Sequence, residues 1–217
     1  MMKKEMMILL ICVMSILLCS CKNRSSVEEK SAGKNSYQEY IQLVQQYEKD
    51  KTDCKYDLIY FNADDIPELV AGVPGSFVAL YSLDETGKIH TIMDDWPYGA
   101  FGNAGYEVLE KEGLIRNYNS DYAGLVVTTS LIKVKDNYQQ EMYSSILMPE
   151  EIKEEEIDQE MKKDAEEYLK EFGGYYFNDK LITKEEFLAQ VPEKEFELLY
   201  GEMSASEIIE ELTDLER

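Results

Sequence analysis

Histidine is almost missing: His90 is the only one among 217 residues. A site built on two or three imidazoles is therefore excluded, as is a Ser–His pairing anywhere but at that position. Cationic side chains are scarce as well, with 22 Lys and Arg against 44 Asp and Glu and a formal net charge of -22. A field of that sign repels phosphate backbones and anionic lipid surfaces, which argues against nucleic acid as a partner. The chain has no glycine-rich phosphate loop, no nucleophile motif and no Cys/His metal spacing, so no cofactor is predicted and catalysis has no motif of its own. No apolar run reaches the ~20 residues that a membrane-spanning helix needs. What the chain does have is 44% apolar and 11% aromatic residues, enough to bury the core of one compact domain.

The first twenty residues form a unit of their own. Lys3 and Lys4 precede an apolar run from Met6 to Leu18, interrupted only by Ser15. A basic start and a short apolar stretch are the parts of a secretory signal. The run ends in Leu18-Cys19-Ser20-Cys21, which resembles the lipobox of bacterial lipoproteins: an aliphatic residue, a small residue just before the cut, then the cysteine that becomes the new N-terminus. The resemblance implies cleavage after Ser20 and a diacylglycerol on the thiol of Cys21. It also implies a chain held on the extracytoplasmic face of the cell membrane by its lipid. Cys12 and Cys19 would leave with residues 1–20, so Cys54 remains the one free thiol and no internal disulfide is expected. Residues 21–35 are nearly all polar, with Val27 and Ala32 the exceptions after Cys21; they read as a tether between lipid and domain.

A folded domain is predicted over 36–217. Ser36-Tyr37-Gln38-Glu39 has the form of a capping box, and Tyr37, Tyr40, Ile41, Val44 and Tyr47 recur at helical spacing to about Asp50. Short β-rich runs follow at Tyr56–Phe61, Leu69–Val73, Phe77–Leu83, Ile89–Met93, Tyr106–Leu109, Leu114–Tyr118, Tyr122–Val134 and Tyr138–Met148. The turns between the later ones, Asp84–Lys88, Glu110–Gly113 and Lys135–Asn137, are short. Strand after strand with short turns predicts an antiparallel meander of about seven or eight strands. From Pro149 onward the chain holds 8 basic and 23 acidic residues. Pro149 suits a first helical turn, and Ile152, Ile157, Met161, Ala165, Tyr168, Leu169 and Phe172 make a helical stripe. A small hairpin at Tyr175–Ile182, a capped helix from Thr183 and a last helix from about Ser204 complete an acidic, largely helical region. The fold class is α+β, with 36–148 the helix and meander and 149–217 the helical acidic part.

Two segments carry candidate chemistry. Asn62-Ala63-Asp64-Asp65-Ile66-Pro67-Glu68-Leu69 lies between two predicted strands. It resembles, in degenerate form, the D-x-D-G-D-G-x-P-E-L segment of uncharacterised cell-surface lipoproteins of Gram-positive bacteria. In its full form that segment resembles a calcium loop, which makes Asn62, Asp64 and Glu68 the candidate metal ligands here. Three ligands fall short of the six to eight that calcium takes, so the residues themselves read as an Asx-stabilised turn with Pro67 directing the next strand. The second segment, Asp94 to Tyr106, carries the only Trp; with Arg116 to Tyr122 it offers Trp96, Tyr98, Phe101, Tyr106, Asn117, Tyr118, Asp121 and Tyr122. Gathered at one sheet edge, these aromatic rings, amides and carboxylates would suit a glycan or a peptide; folded inward, Trp96, Tyr98 and Phe101 would plug the core. The leading expectation is a non-catalytic, lipid-anchored binding or envelope-associated module, its partner a glycan, a peptide or an envelope protein. The alternative is a glycan-active hydrolase pairing carboxylates among Asp94, Asp95, Asp121 and Glu68.

Overall fold

The structure is a computed structural model that describes residues 37–51, 53–97, 102–150 and 158–217. Cys21 with the expected lipobox, the expected tether, Ser36, Tyr98, Phe101, Ile152 and Ile157 lie outside the described residues.

The α+β class is what the chain adopts. Helix α1, Gln38–Asp50, turns Tyr40, Ile41, Val44 and Tyr47 inward. Its N-cap is Tyr37, one residue later than expected, with no side chain capping it. The strands are β1 Lys55–Ile59, β2 Glu68–Val73, β3 Phe77–Leu83, β4 Ile89–Pro97, β5 Asn103–Leu109, β6 Leu114–Asp121, β7 Val126–Val134 and β8 Gln140–Leu147. They run antiparallel in chain order but divide between two sheets, because β4 and β5 do not pair. The first sheet has the order β1-β2-β3-β4. The second adds strands from the acidic region, β9 Gly174–Phe177, β10 Lys180–Ile182 and β11 Glu197–Leu198, in the order β10-β9-β8-β7-β6-β5-β11.

The sheets stack through alternate side chains of β3. Phe77, Ala79, Tyr81 and Leu83 pack with α1 and with α4, Ala205–Leu215, through Tyr40, Val44, Ile208 and Leu212. Val78 and Leu80 point the other way, onto Tyr106, Val108, Ile115 and Ile132 of the second sheet. The far face of the second sheet carries Leu109 and Leu131 under Phe187 and Phe196. Layers of helix, sheet, sheet and a short helix result, with a core on each side of the first sheet.

Three details depart from the sequence reading. Tyr122 does not start a strand: Tyr122, Ala123 and Gly124 all have positive φ (51°, 51° and 95°) and form a 3-10 turn, so β7 begins at Val126. Pro149 is not helical. Helix α2, Gln159–Phe172, starts where Asp158 accepts hydrogen bonds from the Glu160 and Met161 N–H groups. Residues 197–203, given no strand in the sequence reading, join the two sheets. The Leu199 N–H donates to Tyr106 O at 2.7 Å, and the Tyr56 N–H donates to Met203 O at 3.0 Å. Gly201 permits this passage, since a Cβ there would stand 2.5 Å from the Lys55 carbonyl. The other two helices start where expected: α3, Lys184–Leu188, on the Thr183/Glu186 capping box read from the sequence, and α4 on a Ser204/Glu207 box that the sequence reading did not name. Among the described residues no helix is long and apolar enough to cross a membrane.

Candidate functional site

The segment from Phe61 to Glu68 is built by its own polar side chains. Asn62 Oδ1 accepts from the Asp64 N–H at 2.8 Å, and Asp64 Oδ1 accepts from the Ile66 N–H at 2.8 Å. These are two Asx turns in succession, the local geometry that Asn and Asp offer where a chain must bend. Buried Pro67 then delivers the chain into β2. Glu68, the first residue of β2, has 0% exposure. Its Oε2 accepts from the Phe61 N–H at 2.8 Å, and its Oε1 from Asn62 Nδ2 at 2.6 Å and Ser82 Oγ at 3.1 Å. Burial pushes this carboxyl up to about 7, against the pull of the Phe61 and Ser82 hydrogen bonds. Asn62, Asp64 and Glu68, the candidate metal ligands, are thus hydrogen-bonded to one another and to nearby backbone. Among the described residues no group of three or more His, Cys, Asp or Glu is arranged to hold a metal ion.

This turn stands where the two sheets meet. The Lys111 and Gly113 N–H groups of the β5–β6 turn donate to Tyr60 O and Phe61 O at 2.8 and 2.9 Å. The β7–β8 turn closes on it from the other side. Gln140 Nε2 of that hairpin donates to Ile92 O at 2.7 Å. Tyr138 is held at φ 62°, an uncommon conformation for an aromatic residue. Its ring lies flat on His90, centroids 3.8 Å apart and planes 7° apart. His90 Nε2 is in turn 2.9 Å from Asp84 Oδ2. Hydrogen bonds from Thr86 and His90 hold the Asp84 carboxyl far below the usual carboxylate range. The lone histidine therefore serves as a platform that fixes Tyr138.

Between the two turns is a cleft of ≈ 210 Å³. Phe61, Ile92, Val134 and Tyr138 line it with carbon; Asn62, Ala63, Asp64, Lys135 and Asp136 provide the rest. Lys135 is paired with Glu141. An apolar recess with a few convergent polar groups, placed where two packed units meet, is the usual form of a small-ligand site. Of its nine lining residues the sequence reading named two, Asn62 and Asp64, and those as metal candidates. Asp136 and Tyr138 lie more than seventy positions further on, in what reads only as a polar turn, and no local signal marks them as partners of Asn62.

The aromatic segment has a different disposition from the single platform that the sequence suggested. Trp96 is half-buried against Tyr106, ring centroids 5.4 Å apart, and both pack into the core between the sheets. Asn117 is buried and donates from Nδ2 to Asn103 Oδ1 at 2.9 Å and Gly105 O at 2.7 Å, where the β5–β6 register shifts. Tyr118 points to the opposite face of β6, exposed, with the Arg116 guanidinium 5.2 Å from its ring. Asp121 accepts from Asn119 Nδ2 at 2.8 Å. Tyr122 packs on Tyr168 of α2, centroids 5.6 Å apart. Among the described residues of this set, Trp96, Tyr106 and Asn117 come together, Asn117 lying opposite Tyr106 across the β5–β6 pair. The carboxylates named for the hydrolase alternative are also apart in their bonding: Asp95 accepts from Tyr47 and Lys51, both at 2.8 Å, beside α1. Asp94 is exposed on β4, Asp121 belongs to the second sheet, and Glu68 faces the 61–62 backbone. Asp94, Asp95 and Asp121 line no part of the cleft.

Compared with known proteins, the chain matches no family model, no curated protein and no solved structure.

Proposed function

We propose that this protein is a lipid-anchored, extracytoplasmic binding module whose ligand sits in the cleft between the Phe61–Asp64 turn and the Lys135–Tyr138 turn. The observation that carries the binding half is the cleft itself, an apolar floor rimmed by amide and carboxylate groups and set on two sheets. Its walls are fixed before any ligand arrives. Glu68 locks one turn from below through Phe61 and Asn62, and His90 locks the other through the ring of Tyr138. Pre-organised walls lower the ordering cost of binding. The anchoring half rests on Lys3, Lys4, the apolar run and Leu18-Cys19-Ser20-Cys21. No catalytic step is assigned.

Both halves are open to direct test. Cys21→Ala should abolish lipid labelling and release the protein from the membrane fraction; unchanged fractionation would refute the anchor. For the cleft, the full chain is presented to an array of glycan, peptide and peptidoglycan fragments beside Ala63→Trp, which places a large side chain at the cleft wall. Capture lost in Ala63→Trp with the melting temperature unchanged supports the cleft. Capture retained by that variant would put the ligand elsewhere, with the half-exposed Trp96 edge the next surface to probe.

A further inference from the structure

We infer that the cleft selects a ligand bearing a primary ammonium group on a short apolar body, an inference that rests on the cleft being the ligand seat. The charges around the cleft argue for it. Asp64 and Asp136 bring a carboxylate from each of the two turns. Lys135 is the one cation in the lining, and Glu141 neutralises it. The Asn62 carboxamide is already committed, its NH2 to Glu68 and its oxygen to the Asp64 N–H. A carboxylate has about four acceptor positions, and Asp64 spends one of them on the Ile66 N–H. Acceptors of negative charge are therefore what the rim offers an incoming group, and the chain behind it carries -22.

The floor sets the other half of the ligand. Phe61 and Ile92 are buried core residues whose edges reach the cleft, and Val134 and Tyr138 complete an apolar lining. An apolar cavity of about 150 Å³ accepts benzene, so ≈ 210 Å³ corresponds to a body of roughly eight heavy atoms on the same scale. A lysine-like arm, a short alkyl chain ending in an ammonium, meets both requirements. Its carbons cover the floor, its ammonium is directed to the two rim carboxylates, and the partly exposed Tyr138 ring adds cation–π attraction. A carboxylate on the same arm would meet like charge. A neutral end would desolvate Asp64 and Asp136 without replacing their hydrogen bonds.

The test uses the full chain in lipid nanodiscs, with empty nanodiscs subtracted, and three isotope-labelled probes in equilibrium dialysis. These are 5-acetamidopentylamine, N-pentylacetamide and 6-acetamidohexanoate, which share one body and differ at its end. The amine should bind at least roughly tenfold more tightly than either of the others, as expected for a charge-assisted contact. Ala63→Trp should abolish that binding. Asp136→Asn, at an exposed turn position, should weaken it several-fold while leaving the melting temperature unchanged. If the neutral or the acidic probe binds as well as the amine, and Ala63→Trp removes that binding, the ammonium inference falls and the cleft stands. If no probe binds, or if Ala63→Trp leaves amine binding untouched, both fall.

Discussion

The two sheets of this protein are covered differently, and that difference divides its work. In the first sheet every residue of β3 is buried and only Val73 of β2 is not, because helices lie on one face and the second sheet on the other. In the second sheet, β5 to β7 are covered by the first sheet, but β8 to β10 extend past it. There Met142 is 36% exposed and Leu181 of β10 is 73% exposed. A strand covered on both faces can be nothing but core, whereas a strand covered on one face retains a surface. Burial is concentrated in β2 and β3, and the cleft lies at the seam where that sheet meets the turns of the other.

The sharpest way to break this comparison is to cut an equivalent side chain from each sheet. Leu80 is fully buried between the sheets, and Leu80→Ala should cost about 2–5 kcal/mol. At about 2–4 °C per kcal/mol for a domain of this size, the melting temperature should drop by roughly 5 °C or more. Met142→Ala, on β8, should cost less than about 1 kcal/mol. Calorimetry of the two variants side by side decides the matter. Equal losses would mean that the second sheet is as integral to the core as the first.

A smaller effect should separate the sheets by pH. Glu68 is buried in the first sheet with its carboxyl pushed up to about 7 from an ordinary 4.5. The folded chain then holds that proton more tightly than the unfolded chain. The contribution is stabilising below about 4.5 and is lost as pH rises through about 7. Between about pH 5.5 and about pH 8 this single group changes stability by roughly 2 kcal/mol, more stable on the acid side. Other carboxylates of so acidic a chain also repel one another less at low pH, so the quantity to measure is the difference between wild type and Glu68→Gln. That difference should shift in the variant's favour as pH rises. A difference independent of pH would show that Glu68 titrates like a surface carboxylate.

The same contrast governs how far the sequence could be read. Leu69–Val73 and Phe77–Leu83 are continuous apolar runs, and β2 and β3 fall on them almost to the residue. The two capping boxes read from the sequence fared differently. Thr183 caps the helix that follows, while α1 has Tyr37 as its N-cap, with no side chain capping it. What local pattern could not show was the break between β4 and β5, since two consecutive antiparallel strands read alike whether or not they pair. Nor could it show β11, two residues long, whose pairing with Glu107 and Val108 spans ninety positions. The candidate site suffers from the same limit. Asn62, Asp64 and Glu68 stood out because their side chains act within a few residues. Tyr138 and Asp136 reach the cleft only because the second sheet folds over the first. Trp96 stood out as the only tryptophan, but it is half-buried, its ring tilted against Tyr106 at the margin of the core.

The smallest effect concerns calcium. Were the turn at Asn62–Glu68 a working cation loop, calcium would add a clamp at the edge of the first sheet. The bonding argues otherwise. Asn62 presents its NH2 to Glu68, Asp64 holds the Ile66 N–H, and Glu68 is surrounded by three donors. A cation there would face the donor hydrogens around Glu68, and freeing the Asn62 oxygen would undo the first Asx turn. Calcium takes six to eight oxygens, and of the three candidate ligands only Asp64 keeps an oxygen outside these bonds. Adding about 5 mM calcium should therefore move the melting temperature by less than about 1 °C relative to a chelator control. A rise of several degrees, abolished in Asp64→Ala, would establish the turn as a calcium loop. It would also transfer part of the stability now ascribed to β2 and β3 to the ion at their edge.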